Sequence, residues 1–354
     1  MKANSSSIFT IGVVLVITAA LLCISSPLAA APYYQGKTIR LIVPLSPGGT
    51  YDTLARIVAL HIPRHIPGNP KVIVVNRPGG GGLIGERFLY TAGKTGLHIG
   101  HFPSGHIVKQ LTGAAKNIDF TNFEWLGSAG GSCYMMFMNS KISYRSIEDL
   151  RSTREPIKLG ALTRGTSIGD TALILKKMLG LNIKVVFGYK GYNDIALAVR
   201  QEELDGVTTA VVLLKVHSLT NEMINSNFCR VVLLMKGVEP GQEYNKYVQG
   251  LPYAINFIKD PADRRVYQTY MNHFAISRPF MAPPGTNPQA LEILRNAYWK
   301  TMNDKMFIEA AEKRGFVLNP EKYDRVDTYV KELLQMPESH KQRLLEVLEV
   351  TGKG

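Results

Sequence analysis

The chain predicts an α/β protein built as two lobes, on three observations. One grammar occurs twice near the start: an apolar strand-like run, a turn of proline and glycine, then a helix-like stretch. Strand-like and helix-like segments then go on alternating, the pattern of α/β lobes with largely parallel sheets. The length, 354 residues, exceeds what one core usually accommodates, so two lobes are the expectation.

The first unit runs from Ile39 to Pro44 as a strand, turns through Pro47, Gly48, Gly49, Thr50, Tyr51 and Asp52, and continues as a helix over 53–62. The second repeats it: strand 71–76, a turn of Pro78 and four glycines from Gly79 to Gly82, helix 83–90. Glycine lets a ligand approach the main chain closely, and the following helix start presents unpaired N–H groups and a partial positive charge. Two such turns point to a site that holds an anion. Residues 97–102 form a short strand ending at Pro103, Ser104 and Gly105, and the strongly apolar stretch from Trp125 to Met138 marks a crossing into a second lobe.

There, 147–151 reads as a short helix and 157–162 as a strand, followed by a turn of Arg164, Gly165, Thr166 and Ser167. Ser167 and Asp170 have capping-box spacing ahead of a helix that ends at Gly180. Strand 184–187 leads into Gly188, Tyr189, Lys190 and Gly191 and a helix to about Glu203; 205–214 and 229–235 read as extended runs. In the C-terminal third, Asn287 and Pro288 open a helix whose Leu291, Leu294, Tyr298 and Met302 share a face. Further helices fit 306–314, 325–334 and 339–348.

At the N-terminus, Lys2, the apolar run 8–24 and Ala29, Ala30 and Ala31 follow the order of a secretory signal. Cleavage is expected near Ala30, releasing the protein outside the cytoplasm. An uncleaved anchor is the competing reading, since the run is near the lower limit for spanning a bilayer. Leu22 before Cys23 is too large for lipoprotein processing. Net charge is +13, and residues 32–128 alone carry ten Lys/Arg against four Asp/Glu. Such a balance favours anionic partners. No concentrated basic run or aromatic-basic interleaving is present, which argues against nucleic acid. Without the leader, Cys133 and Cys229 remain, either as one disulfide or as two buried thiols.

Several motifs carry two readings. Gly80, Gly82 and Gly85 match G-x-G-x-x-G, but no acidic residue follows between Glu86 and Asp119 to hold a ribose, and no P-loop lysine follows either, so no nucleotide cofactor is expected. Gly165, Ser167 and Gly169 match G-x-S-x-G, the nucleophile elbow of serine hydrolases, with Asp260 or Asp263 and His273 as available partners. The other reading makes Thr166 and Ser167 helix caps that donate hydroxyl bonds to an anion. His98, His101 and His106, or His61 and His65, lack a carboxylate at metal-site spacing and read as packed or surface histidines. Asp52 either accepts a ligand ammonium or stabilises its own helix start. Lys190 either pairs with a carboxylate or is a solvated loop lysine.

Taken together, these residues resemble a family. Ile39 through Pro47, Gly48, Gly49, Thr50, Tyr51 and Asp52 to Arg56 looks like the opening motif of the tripartite tricarboxylate transporter substrate-binding proteins, the Bug or TctC family. Val74 to Gly79 with Gly81, Gly82, Ile84 and Gly85 resembles the second motif. Gly165, Thr166 and Ser167, then Tyr189, Lys190 and Gly191 with Asp205, match the third and fourth; Arg278, Pro279, Phe280 and Ala282 to Gly285 are similar to the C-terminal part of some members. The resemblance covers nearly all of the mature chain. It implies a two-lobe periplasmic binding protein fold, type II-like, with the ligand cleft between the lobes.

The implied division is a signal peptide at 1–30, first lobe 31–128, second lobe 129–235, and a return to the first lobe over 236–354. The implied ligand is a small carboxylate, held without catalysis or cofactor and delivered to membrane permease subunits by a periplasmic monomer. Positions carried over are Gly48, Gly49, Thr50 and Asp52; Gly81 and Gly82; Thr166 and Ser167; Tyr189 and Lys190; and Thr209. The chain departs from the family at Thr208 and Thr209, where many members have a nearby aspartate, at His98, and over 253–270.

Overall fold

A computed structural model describes residues 31–350, apart from 145, 237 and 238 and the side chain of 243. The expected leader, with Cys23, lies outside the described residues. Two sheets organise the chain. The first holds β1 (Thr38–Val43), β2 (Lys71–Asn76), β3 (His98–His101), β4 (Glu124–Ser128), β10 (Pro279–Ala282) and β11 (Glu321–Lys322) in the order β11-β4-β10-β3-β1-β2. The second holds β5 (Tyr134–Asn139), β6 (Ile157–Gly160), β7 (Ile183–Val186), β8 (Gly206–Ala210) and β9 (Cys229–Met235) in the order β7-β6-β8-β5-β9. The two-lobe α/β expectation is met.

The sheets are mixed rather than largely parallel. β2, β1 and β3 run parallel, as do β7, β6 and β8, because each is joined to the next through a helix. β10 lies antiparallel between β3 and β4, and β5 antiparallel between β8 and β9. These are the strands on which the chain enters or re-enters a sheet after crossing, so no βαβ unit imposes their direction. The extended run expected over 205–214 is a strand only to Ala210; Leu213–Val216 is one helical turn.

The helices that matter for the site are α1 (Thr50–His61), α2 (Leu83–Tyr90), α3 (Gly105–Leu111), α4 (Ser167–Met178) and α5 (Tyr192–Arg200). α1 turns Leu54, Ala55, Val58 and His61 inward, an i, i+3/i+4 stripe against the first sheet. After β9 the chain stays on the second sheet, with Tyr244 and Val248 in its core, then forms α6 (Pro261–Asn272) and re-enters the first sheet at β10. α7 (Pro288–Met302) opens as expected, Asn287 accepting from the Ala290 amide at 3.1 Å with Pro288 in the first turn. One apolar core joins the lobes, combining Ile42 and Trp125 with Ile174 and Leu233 and with Val266 and Tyr270 of α6. Cys133 and Cys229 are both free, buried thiols. No helix among the described residues is long and apolar enough to cross a membrane.

Gly127 marks where β4 cannot carry a side chain. Its φ is +147°, and a Cβ there would lie 2.5 Å from the buried Tyr298 ring and 2.7 Å from the Glu321 carbonyl. Gly127→Ala is therefore expected to lower stability by about 1–3 kcal/mol, read as a lower urea midpoint at unchanged slope. An unchanged midpoint would contradict this packing.

Candidate functional site

The parallel strands of each sheet end on one edge, and the helix starts gather there. β1, β2 and β3 lead to the starts of α1, α2 and α3; β6 and β7 lead to those of α4 and α5. In open α/β sheets, ligands bind outside such carboxyl ends. Strand register also puts Ser128, Tyr134, Met235 and Pro279 on these edges, so both crossings between lobes leave from them. The edges face each other. A Cβ added to Gly105 of the first lobe would lie 3.1 Å from Ser167 Oγ of the second.

The first turn is held by Asp52. The Gly48 amide, at φ +86°, donates to Asp52 Oδ2 at 2.8 Å. Arg56 donates to both carboxylate oxygens at 2.9 and 3.0 Å, and Asn76 Nδ2 to Oδ1 at 3.0 Å. Burial pushes this carboxyl upward, but the bonds from Arg56, Gly48 and Asn76 outweigh it and hold it below the ordinary carboxylate range. Of its two readings, Asp52 takes the structural one: it shapes the turn. Gly48, Gly49 and Thr50 are exposed, and Gly49 caps α1 without a side-chain bond.

The second lobe repeats the device. The Gly165 amide, at φ +74°, donates to Asp170 Oδ1 at 2.9 Å, and Tyr270 Oη donates to Oδ2 at 3.1 Å. Here burial dominates and raises the Asp170 carboxyl to about 7 in spite of those bonds. The capping-box expectation is thus corrected by one residue. Thr166 is the N-cap, its Oγ1 accepting from the Gly169 amide at 3.4 Å, and Asp170 reaches back to Gly165 instead. This leaves the Ser167 hydroxyl beside the Tyr134 phenol.

The four-glycine turn sits behind α3. Gly79, Gly80, Gly81 and Gly82 all have positive φ, from +57° to +120°, a run that only glycine sustains. Lys109 donates to the Gly81 carbonyl, and His106 packs on Gly82 while bonding the fully buried Glu86. The start of α3 therefore separates Gly81 and Gly82 from Ser167. Tyr189 is half-buried and Lys190 exposed on the loop before α5. Thr209 is buried against Tyr192, on the opposite face of β8 from Thr208, which bonds Thr171 and the Ile168 carbonyl of α4.

The serine-hydrolase partners are all engaged elsewhere. Asp260 caps α6, Asp263 takes a two-pronged pair from Arg343 at 2.7 and 2.9 Å, and His273 Nδ1 bonds the Tyr270 carbonyl. His101 is stacked on Phe280 at 4.0 Å and bonds the Pro279 carbonyl; burial pushes its imidazole down to about 3. No group of three or more His, Cys, Asp or Glu among the described residues has the arrangement to hold a metal.

Sequence reasoning passed over the floor between the turns. Tyr51 sends its hydroxyl to the Ser277 carbonyl at 3.0 Å and packs on His101 at 5.0 Å. Tyr134 begins β5 beside Ser167, and Arg278, 7% exposed, acts electrostatically on both tyrosines. Tyr51 and Arg278 stand inside quoted motifs, but only the turn residues around them carried a local signal. A hollow of about 690 Å³ lined by Trp125, Arg295 and Asp327 lies at the opposite edge of the first sheet and belongs to no such cluster.

No protein-family model matches the chain, and no curated protein does. Solved structures do. A TctC solute-binding protein from Polaromonas superposes with a TM-score of 0.67 at 16% identity, covering 90% of this chain and 100% of its own. The chain has the TctC fold. MatC from Rhodopseudomonas palustris with bound malate matches at a TM-score of 0.60 and 14% identity over 88% of this chain and 99% of its own. Another R. palustris protein, with adipate, gives 0.62 and 14% over 89% and 98%. The TctC fold is what the glycine motifs implied, and it makes the two facing edges the walls of an interlobe cleft.

The carboxyl of Asp170 sets a pH dependence. Its folded value, about 7, lies above the ordinary value of 3.8, so the folded protein holds a proton that the unfolded chain has lost. Its contribution to stability is full below about pH 4 and is lost as pH rises towards 7. Asp170→Asn should flatten melting temperature against pH across that window. A variant whose profile falls as steeply as the wild type would exclude Asp170 as the source.

Proposed function

We propose that the protein is an extracytoplasmic solute-binding protein of the tripartite tricarboxylate transporter type, which captures a small carboxylate between its lobes and delivers it to membrane permease subunits. One observation carries this reading: two facing helix starts, each behind a glycine turn locked by its own aspartate. Both present main-chain N–H groups and hydroxyls where an anion would lie. Closing the lobes strips water from those bonds and strengthens them. Malate and adipate, found with two proteins of the same fold, are the class of ligand such a site would take.

The rest of the reading follows from the sequence and the fold. Cleavage near Ala30 would place the protein in the periplasm as a monomer, where a permease could receive its ligand. Gly48, Gly49, Thr50 and Ser167 would touch the ligand, with Asp52 and Thr166 shaping the turns. Gly81 and Gly82 would join only if α3 shifts as the lobes move. Tyr189 and Lys190 border the entrance. The esterase reading loses its support where Ser167 meets Tyr134, while His273 bonds the Tyr270 carbonyl.

Calorimetry with malate, adipate and citrate should find at least one ligand, and small-angle scattering with it should show compaction. Ser167→Ala should then weaken binding by roughly 1–3 kcal/mol, about five- to 150-fold, with the fold intact. The wild type should not be labelled by a serine-directed fluorophosphonate. A stoichiometric adduct on Ser167, or tight binding of an uncharged sugar with no carboxylate bound, would overturn the proposal.

A further inference from the structure

Among the described residues, Arg278 is a cation that folding has buried with no carboxylate in ion-pair range. It is 7% exposed. Among the described residues its side chain makes one hydrogen bond, from Nη1 to the Gly131 carbonyl at 3.4 Å. Other arginines at the core's edge are matched: Arg56 by Asp52 and Arg343 by Asp263. Glu239 lines the same small cavity of about 40 Å³ as Arg278. Its carboxylate, however, is taken by Lys236 at 2.6 Å and Tyr253 at 2.6 Å. The Phe316 ring, 5.8 Å from the guanidinium carbon, gives it an aromatic face but no negative charge, so a cation buried here without an anion is costly and needs an explanation.

Its position supplies one. Arg278 directly precedes β10, and its carbonyl accepts from the Ala129 amide at 3.0 Å, where the chain leaves the first sheet. The neighbouring Ser277 carbonyl receives Tyr51, from the first-lobe turn. Tyr134, beside Ser167 of the second-lobe turn, is close enough for its phenol to feel the guanidinium, as is Tyr51. The cation therefore lies at the crossing between the lobes, where it lines a small cavity with Ser132, Cys133 and Val211 on one side and Val317 on the other. We propose that Arg278 is the charged anchor of the cleft, pairing with one carboxylate of the ligand while the glycine turns and Ser167 take the other. This rests on the carboxylate-binding reading and narrows it: the chain selects dicarboxylates over ligands with a single carboxylate. A guanidinium suits the role because its planar fork matches a carboxylate with two parallel bonds.

The test is calorimetry of malate, adipate and the monoamide of each on the wild type, Arg278→Gln and Arg278→Lys. Circular dichroism and ligand-free melting check the fold. In Arg278→Gln, the better-bound diacid should weaken by about 10- to 150-fold and lose its preference over the monoamide. Arg278→Lys, keeping charge but not the fork, should recover part of both. Diacid affinity within about threefold of wild type in Arg278→Gln, or an unchanged diacid preference, overturns the proposal and leaves the carboxylate reading standing. A wild type that binds neither diacid defeats both. Should neither variant fold, the Arg278 Nε–H resonance of the nitrogen-15-labelled wild type decides. A shift on adding the diacid but not the monoamide is expected, and no shift is contradictory.

Discussion

A carboxylate in the first turn of a helix, bent back onto the amide of the glycine before it, holds each of the two turns that face the cleft. Asp52 does this for Gly48 and Asp170 for Gly165. For the ionised Asp52 such a hydrogen bond contributes about 1.5–3 kcal/mol, and for Asp170 less where it is protonated; either helps fix a loop that glycine would otherwise leave mobile. The consequence reaches past the turn. With the glycine amide occupied by its own chain, the next N–H groups and hydroxyls remain for a ligand, in a fixed direction. A pre-shaped donor set loses less entropy on binding than one that must assemble.

The two locks differ in their surroundings, and the difference has consequences. Asp52 has Arg56 as counter-charge and Asn76 as a further donor, so it stays ionised at any ordinary pH. Among the described residues Asp170 has no cation beside it but bonds to Gly165 and Tyr270, and burial leaves its carboxyl poised near neutrality. The second-lobe turn is thus the one whose stiffness depends on protonation. Its neighbour Arg164 is tied to Glu349 near the C-terminus, at 2.9 Å, so the same turn is also braced from outside.

What could be read in the sequence was local. Glycine runs after apolar strands announce turns, and Asn287 with Pro288 announces a helix start, because the signal and the structure involve the same few residues. The resemblance of those turns to a known family led to the two-lobe fold. Thr166 took the cap in place of Ser167 because Asp170 was drawn to Gly165, a choice between equivalent local bonds. The antiparallel half of each sheet was hidden because β10 reaches β3 from 178 residues away, the separation of His101 and Pro279. Thr209 is carried over from the resemblance, and strand alternation puts it on the face of β8 opposite Thr208. Arg278 carries no local signal, since what distinguishes it is burial with no carboxylate beside it among the described residues, which only tertiary structure shows.

The central claim is that backbone groups from both lobes hold one carboxylate ligand between them. Backbone amide NMR of the nitrogen-15-labelled protein, titrated with malate or adipate, tests it most directly. The account predicts that the amides of Gly49 and Thr50 in one lobe and Ser167 in the other shift together with a single dissociation constant. Shifts confined to one lobe, or a saturated ligand that leaves all three amides unmoved, would contradict it.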